Sequence, residues 1–391
     1  MKKLFIVATL FLVSLPLLAD NTATLPAGRF RARVKPIYAF GFSTQFGNDG
    51  AEKSLVSHYA KTIDFATAQK FDPSGQLAGL MTAAGLQSST LGSFAPSLDV
   101  STLVMASALE YGLTQNLTLG VIVPVVSART KFDLAFNKNP DALNHPNAII
   151  RAKIQGLDMV KAAQDKAIQA GYAPLENWDA LGLGDVELGI KYKLLNTQNW
   201  SLATKSGVRL PTGRGDDPDI LTDIGFGDGQ TDLGSTLLVD YTGISNTLLN
   251  TWVKYTVQLP DRQLLRVPEP GELFTTKKEN IRRNLGDRVD AVVTAEYSFW
   301  TTFNVNATYA FFSKQKDRFK SNLGYNAQEL EANTAQQKHS ADAGIGFSTL
   351  PWFKQGTFKL PMDAGLNLEV PLTGKNVAKA TTVNLEYKLY F

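Results

Sequence analysis

The last eleven residues, Thr381-Thr-Val-Asn-Leu-Glu-Tyr-Lys-Leu-Tyr-Phe391, alternate apolar and polar side chains without a break and end on an aromatic ring. A strand sends successive side chains to opposite faces, so Val383, Leu385, Tyr387, Leu389 and Phe391 share one face and Thr382, Asn384, Glu386 and Lys388 the other. An ordinary half-buried strand also alternates. A strand of this length closed by a terminal Phe resembles the signal by which bacterial outer-membrane proteins are recognised for barrel assembly, which implies the barrel-assembly machinery as a partner read through Phe391.

The opposite end of the chain favours the membrane reading. Met1-Lys2-Lys3 is a positive n-region, Leu4 to Leu18 is an apolar run broken by Pro16, and Ala19 is a small residue before Asp20. Residues 1–19 therefore read as a secretory signal peptide, and residues 20–391 as one mature domain. No later stretch approaches the roughly 18 consecutive apolar residues of a membrane helix. Cysteine is absent, which excludes a lipid anchor on cysteine and a disulfide framework. Mean hydropathy is -0.10 with 19% charged residues, a balance that suits a barrel, where only the lipid-facing half of each strand must be apolar. With 39 basic and 36 acidic residues, the net charge of +3 does not point to nucleic acid.

Alternating segments recur at about 29–46, 97–113, 117–132, 183–195, 200–212, 230–243, 247–259, 287–299, 301–315, 336–349, 357–371 and 379–391. The expected fold is an all-β transmembrane antiparallel barrel of about 12 strands, with long extracellular loops carrying some helix. Even-numbered connections are mostly tight and odd-numbered ones mostly long; with both termini periplasmic, an even strand count puts the tight turns on the periplasmic side and the long loops outside. In the segment near 357–371, Phe358, Leu360, Met362, Ala364, Leu366, Leu368 and Val370 oppose Lys359, Asp363, Asn367 and Glu369. A soluble sandwich would alternate too, but would rarely need strands this long with tips this aromatic.

Polar faces must then line the lumen. Arg29, Arg31, Arg33 and Lys35 form a cationic row on the first strand, and Glu187, Asp232, Glu296, Asp363 and Glu386 are acids on later ones, with Glu110, Asp240, Asp290 and Glu369 in similar places. Such charges either satisfy one another across the lumen or form a selective constriction.

The long loops are unusually apolar. The first carries Phe65, Phe71, Leu80 and Phe94, and the second reads as one helix opened by Pro146 and closed by Gly171, with Ile150, Ile154 and Leu157 along one stripe. These seven residues are the candidate hydrophobic site, whether as self-packing loops or as a pocket for a small hydrophobic solute. Asp216, Asp217, Asp219, Asp223 and Asp228 could hold Ca²⁺ but match no EF-hand, and the simpler reading is a solvated acidic loop. The basic loop with Arg262, Arg266, Lys277, Lys278, Arg282 and Arg283 would sit at the height of lipopolysaccharide phosphates. Scattered His58, His145 and His339 suggest no metal or catalytic site, so no cofactor and no enzymatic activity are expected.

Leu181-Gly-Leu-Gly-Asp-Val-Glu-Leu-Gly-Ile-Lys-Tyr192, followed by Leu210-Pro-Thr-Gly213, resembles the hairpin of the outer-membrane family named for phenol degradation by the meta pathway, distantly related to the long-chain fatty acid transporters. The resemblance implies passive uptake of small hydrophobic or aromatic compounds. Alternatives are a general porin for small polar solutes and a structural or adhesive barrel. The fatty acid transporters have about fourteen strands and an N-terminal plug; here only about nine residues separate Ala19 from the first strand, which argues against their lateral-release route.

Overall fold

The computed structural model describes residues 21–68, 90–269, 272 and 274–391. The proposed signal peptide, Phe71 and Leu80 lie outside the described residues. Twelve long strands follow one another around the sheet: β1 (Phe30–Phe42), β2 (Thr90–Thr114), β3 (Leu117–Lys138), β4 (Val186–Asn196), β5 (Trp200–Leu210), β6 (Asp232–Tyr241), β7 (Thr247–Gln258), β8 (Arg288–Phe299), β9 (Phe303–Lys314), β10 (Gln336–Ser348), β11 (Met362–Lys375) and β12 (Thr382–Tyr390). Each pairs antiparallel with its sequence neighbour, and β12 pairs back onto β1 with Arg33 opposite Lys388 and Tyr38 opposite Val383. Closure removes both edges, the condition a sheet must meet in lipid.

All twelve anticipated strands are present, and three differ most in extent. β2 and β3 run far beyond the others and rise as a tall hairpin, in register from Gly92–Lys138 down to Gly112–Thr118 with a shift before Thr114–Leu117. β11 begins at Met362, so Phe358 and Leu360 are not strand residues. They lie in the connection after a short helix, α1 (Leu350–Lys354), which has Pro351 in its first turn and is followed by Gly356 at φ 71°. Pro361 immediately before β11 lacks the N–H that would extend the ladder.

The exterior matches the face assignment. Leu103, Leu109, Leu188, Val253, Val293, Leu366, Leu368 and Tyr387 are all exposed, whereas Arg33, Lys35, Asp232, Asp240, Asn250, Asp342 and Asn384 are buried inside the ring. An aromatic girdle marks the turn end: Phe30 stacks with Phe391 at 5.8 Å, Trp200 meets Tyr241 at 4.6 Å, and Phe303 meets Phe347 at 5.0 Å. An apolar belt with interfacial rings is the surface of an outer-membrane barrel. Val293, 56% exposed and six residues above the end of β8, faces the middle of that belt. Val293→Arg should cost about 2–4 kcal/mol in urea unfolding from lipid vesicles; a change within 0.5 kcal/mol, roughly the scatter of a surface substitution, would show that this face does not meet lipid.

Candidate functional site

The tall β2–β3 hairpin is the scaffold of the outer site. Its upper inner face carries Leu91, Phe94, Leu134 and Phe136, against which Ile63, Phe65, Ile150, Ile154, Met159 and Ala163 pack. The second loop contains not one helix but two, α2 (Ala148–Gly156) and α3 (Met159–Gln169). Asn147 rather than Pro146 caps the first, its side chain accepting from the amides of Ile149 and Ile150 at 2.9 and 3.4 Å. Asp158 caps the second through the Lys161 amide at 2.9 Å. A capping carboxylate one residue after Leu157 offers the backbone a new start, which is why the stripe does not continue as one helix. Gly171, at φ 80°, does close the segment.

Phe65, Phe94, Ile150, Ile154 and Leu157 are thus brought into one cluster, with Phe65 and Ile154 fully buried. They are mostly the wall behind the site rather than its lining. The open apolar space, about 70 Å³, lies beside them and is bounded by Tyr59, Phe94, Pro96, Phe132, Leu134, Ala163, Leu175, Leu221, Thr222 and Phe274. Of the sequence candidates only Phe94 faces it. Tyr59 and Phe274 come from separate connections and Phe132 from β3, so no spacing pattern could have joined them.

Beneath that pocket the connection after β5 turns inward. Ile224 and Phe226 pack with Phe42, Leu98, Val100, Val126 and Ala128 of the barrel wall, forming an apolar plug across the upper lumen. Thr130 anchors it by donating to the Thr222 carbonyl at 2.9 Å. The family-resembling residues are the hinge of this inward turn. The partner of β3 changes at Pro124 from β4 to the short strand Trp178–Leu183, and Asp185 at that break accepts from the Gly213 amide at 2.9 Å and the Asp228 amide at 3.4 Å. A Cβ on Gly227 would lie 2.2 Å from the Asp185 carboxylate, so this close approach requires glycine.

The acidic and basic loops meet each other above the plug. Arg266, 1% exposed, donates to the carbonyls of Pro218 (3.1 Å), Ala170 (2.8 Å), Thr275 (2.6 Å) and Gly171 (2.6 Å) and to the Asp219 carboxylate at 2.8 Å, and its guanidinium lies 3.7 Å from the centre of the Tyr172 ring. Lys278 also reaches Asp219, Lys277 reaches Glu269, Arg283 reaches Asp261, and Arg214 pairs with Asp223. Burial raises the Asp219 carboxyl, yet the bonds from Lys278 and Arg266 outweigh it and hold the group below its ordinary 3.8. Asp219 thus ties the acidic connection to the basic one through Arg266 and Lys278, while the remaining pairs satisfy charges within each connection.

Below the plug, the lumen holds most of the anticipated charges in pairs. Arg31 binds Glu110, Arg33 lies 3.7 Å from Glu386, and Lys388 sits 2.8 Å from the same carboxylate. Arg209 bridges Glu187 at 2.9 Å and Asp232 at 3.3 Å, and Tyr390 donates to Asp363 at 2.5 Å. Lys35 is buried beside this group, Glu296 is on the inner face of β8, and Arg29 stands exposed before β1. The inner cations Lys191, Lys205, Arg209, Lys254 and Arg288 escaped the sequence reading, although Lys191 keeps the phase of Glu187 on β4, Arg288 that of Asp290 on β8, and Arg209 and Lys254 face Asp232 and Asp290 across their ladders.

The periplasmic mouth is crossed by residues that sequence reading left without a role. Thr22 donates through its amide (2.9 Å) and its hydroxyl (2.7 Å) to Asp240 on β6, Lys191 on β4 donates to the Asn21 carbonyl at 2.9 Å, and the Leu25 amide donates to Thr118 on β3 at 2.8 Å. Because β6 lies far around the ring from β1, the segment from Asn21 to Pro26 is a strap across the lumen.

Residues 84–245 match the family model described as the putative MetA pathway of phenol degradation, a span that includes the hairpin carrying the resemblance. A crystal structure of an outer membrane channel from Pseudomonas putida F1 is similar at a TM-score of 0.54 and 13% identity, over 95% of this chain and 98% of that one, and shares the barrel fold. The toluene transporter TbuX of Ralstonia pickettii is similar at a TM-score of 0.38 and 10% identity, over 95% of this chain and 92% of that one. No curated protein matches.

Proposed function

We propose that this chain is an outer-membrane channel that passively admits small hydrophobic or aromatic compounds, acting as a conduit rather than an enzyme. The observation that carries the reading is the apolar pocket among the outer loops, set directly over the Ile224–Phe226 plug. A compact aromatic solute leaves water there, a transfer that favours binding by roughly 25 cal/mol for each Å² of apolar surface removed. The plug then forces passage through an apolar upper lumen, which discriminates against sugars and other strongly hydrated solutes. The family match and the likeness to an outer membrane channel support the same reading. Its route to the membrane would be secretion through a cleaved 1–19 leader and assembly through Phe391. Contact with lipopolysaccharide would fall to Arg262 and Arg282, because Arg266, Lys277, Lys278 and Arg283 are engaged by carboxylates of the loops themselves.

Phe132→Asp places a charge in the wall of the pocket without altering the barrel ladder. Toluene uptake into proteoliposomes should fall at least tenfold, while heat-modifiable gel migration shows an intact barrel. Rapid sugar entry through the unmodified protein, with no toluene uptake above protein-free vesicles, would reject the proposal in favour of a general porin.

A further inference from the structure

The lower lumen contains a second cavity whose chemistry differs from that of the outer pocket. It measures about 100 Å³ and lies between the strap and the mid-height of the barrel. Six cations line it, Arg31, Arg33, Lys191, Lys205, Arg209 and Lys254, against the three carboxylates of Glu110, Glu187 and Asp232. Those carboxylates are claimed by Arg31 and Arg209. By count the lining carries more cations than carboxylates, although Arg33 also meets Glu386 at 3.7 Å and Lys254 lies opposite Asp290 across the β7–β8 ladder. It also holds an aromatic surface: Trp252, 6% exposed, packs with Ala203, Leu238 and Val292, and its buried Nε1–H has no hydrogen-bond partner among the described residues. Arg288, directly across the β7–β8 ladder from Thr256 of the cavity wall, is 1% exposed and lies outside this lining, its guanidinium 5.2 Å from the centre of the Phe312 ring.

We infer that this cavity is a binding site for the anionic head of an aromatic acid, so that the channel's preferred guests are aromatic carboxylates rather than neutral hydrocarbons. The inference rests on the aromatic-channel reading above and sharpens it. The Trp252 Nε1–H is a buried donor on this wall without an acceptor, a costly arrangement that a guest's carboxylate oxygen relieves. An excess of cations in a low-dielectric wall attracts a carboxylate more strongly than the same charges would in water. The apolar ring of the guest has Trp252 and Leu238 to lie against, while its carboxylate is drawn to Lys205, Lys254 and Arg209. A neutral arene satisfies only the first of these, and a small aliphatic anion only the second. Both halves of the guest are needed for tight occupancy.

The full-length protein in planar bilayers tests this directly. Benzoate should block the ion current at a concentration at least tenfold below that required of acetate or of benzyl alcohol. Under a KCl gradient the reversal potential should report preference for chloride. Lys254→Gln and Lys205→Gln, each verified as a folded barrel by heat-modifiable migration, should weaken the benzoate block by at least tenfold, and Trp252→Ala should weaken benzoate block while leaving acetate unchanged. Equal block by benzoate and benzyl alcohol in the unmodified protein overturns the anion site while leaving an aromatic channel intact. Equal block by benzoate and acetate, together with failure of toluene uptake, overturns the aromatic reading itself. Unchanged benzoate block in both lysine variants overturns the assignment of the site to this wall.

Discussion

Arg266→Ala is expected to release the outer loops from one another while leaving the barrel assembled. The guanidinium joins the end of α3, the acidic connection after β5 and its own hairpin, and its removal leaves the carbonyls of Ala170, Gly171 and Thr275 without their donor. Breaking a buried ion pair costs about 3–5 kcal/mol. The Asp219 side chain is 35% exposed, which puts this pair toward or below the lower end of that range. Protease added outside vesicles should cut the loops of the variant many times faster than those of the parent protein, with barrel migration on gels unchanged. Equal cleavage rates would show that the loops hold together without this residue. The Asp219 carboxyl is held below its ordinary value, so its contribution is complete above 3.8 and is lost as pH falls through the lower folded value. Loop protection in the parent protein should therefore be constant near neutrality and fall only in strong acid.

The second large effect concerns the strap. Asp240→Ala removes the acceptor of both Thr22 bonds and leaves the segment attached through Lys191, Thr118 and the Gln115 carbonyl. Single-channel conductance should rise several-fold, because a chain crossing a narrow lumen excludes ions from much of its section. Gly112→Val attacks the other end of the strap, since even a Cβ there would fall 2.1 Å from the Pro26 carbonyl oxygen and 2.7 Å from that of Leu25. If both variants conduct like the parent protein, the strap is not the barrier at the periplasmic mouth.

Much of the barrel was legible because lipid imposes one rule on every strand. The face that meets hydrocarbon must be apolar and the other need not be, so Val383 to Phe391 and Val289 to Tyr297 announce their orientation residue by residue. The misplacement of Phe358 and Leu360 shows the limit of that rule. They continue the apolar phase of β11, but Pro361 ends the ladder and α1 occupies the preceding residues. The single helix expected between Pro146 and Gly171 failed for a comparable local reason, the competing cap at Asp158.

By itself, the sequence determined the strand count, the inward and outward faces, the long and short connections and the pairing of the chain's two ends, because each follows from a two-residue period interrupted by turns. Only the tertiary structure decided what fills the barrel. Phe94 and Phe274 share a pocket, Thr22 reaches Asp240 and Arg266 ties together three segments through contacts between residues far apart in the chain. Loops and termini carry no period that records their partners; closure of the ring brings those partners within reach.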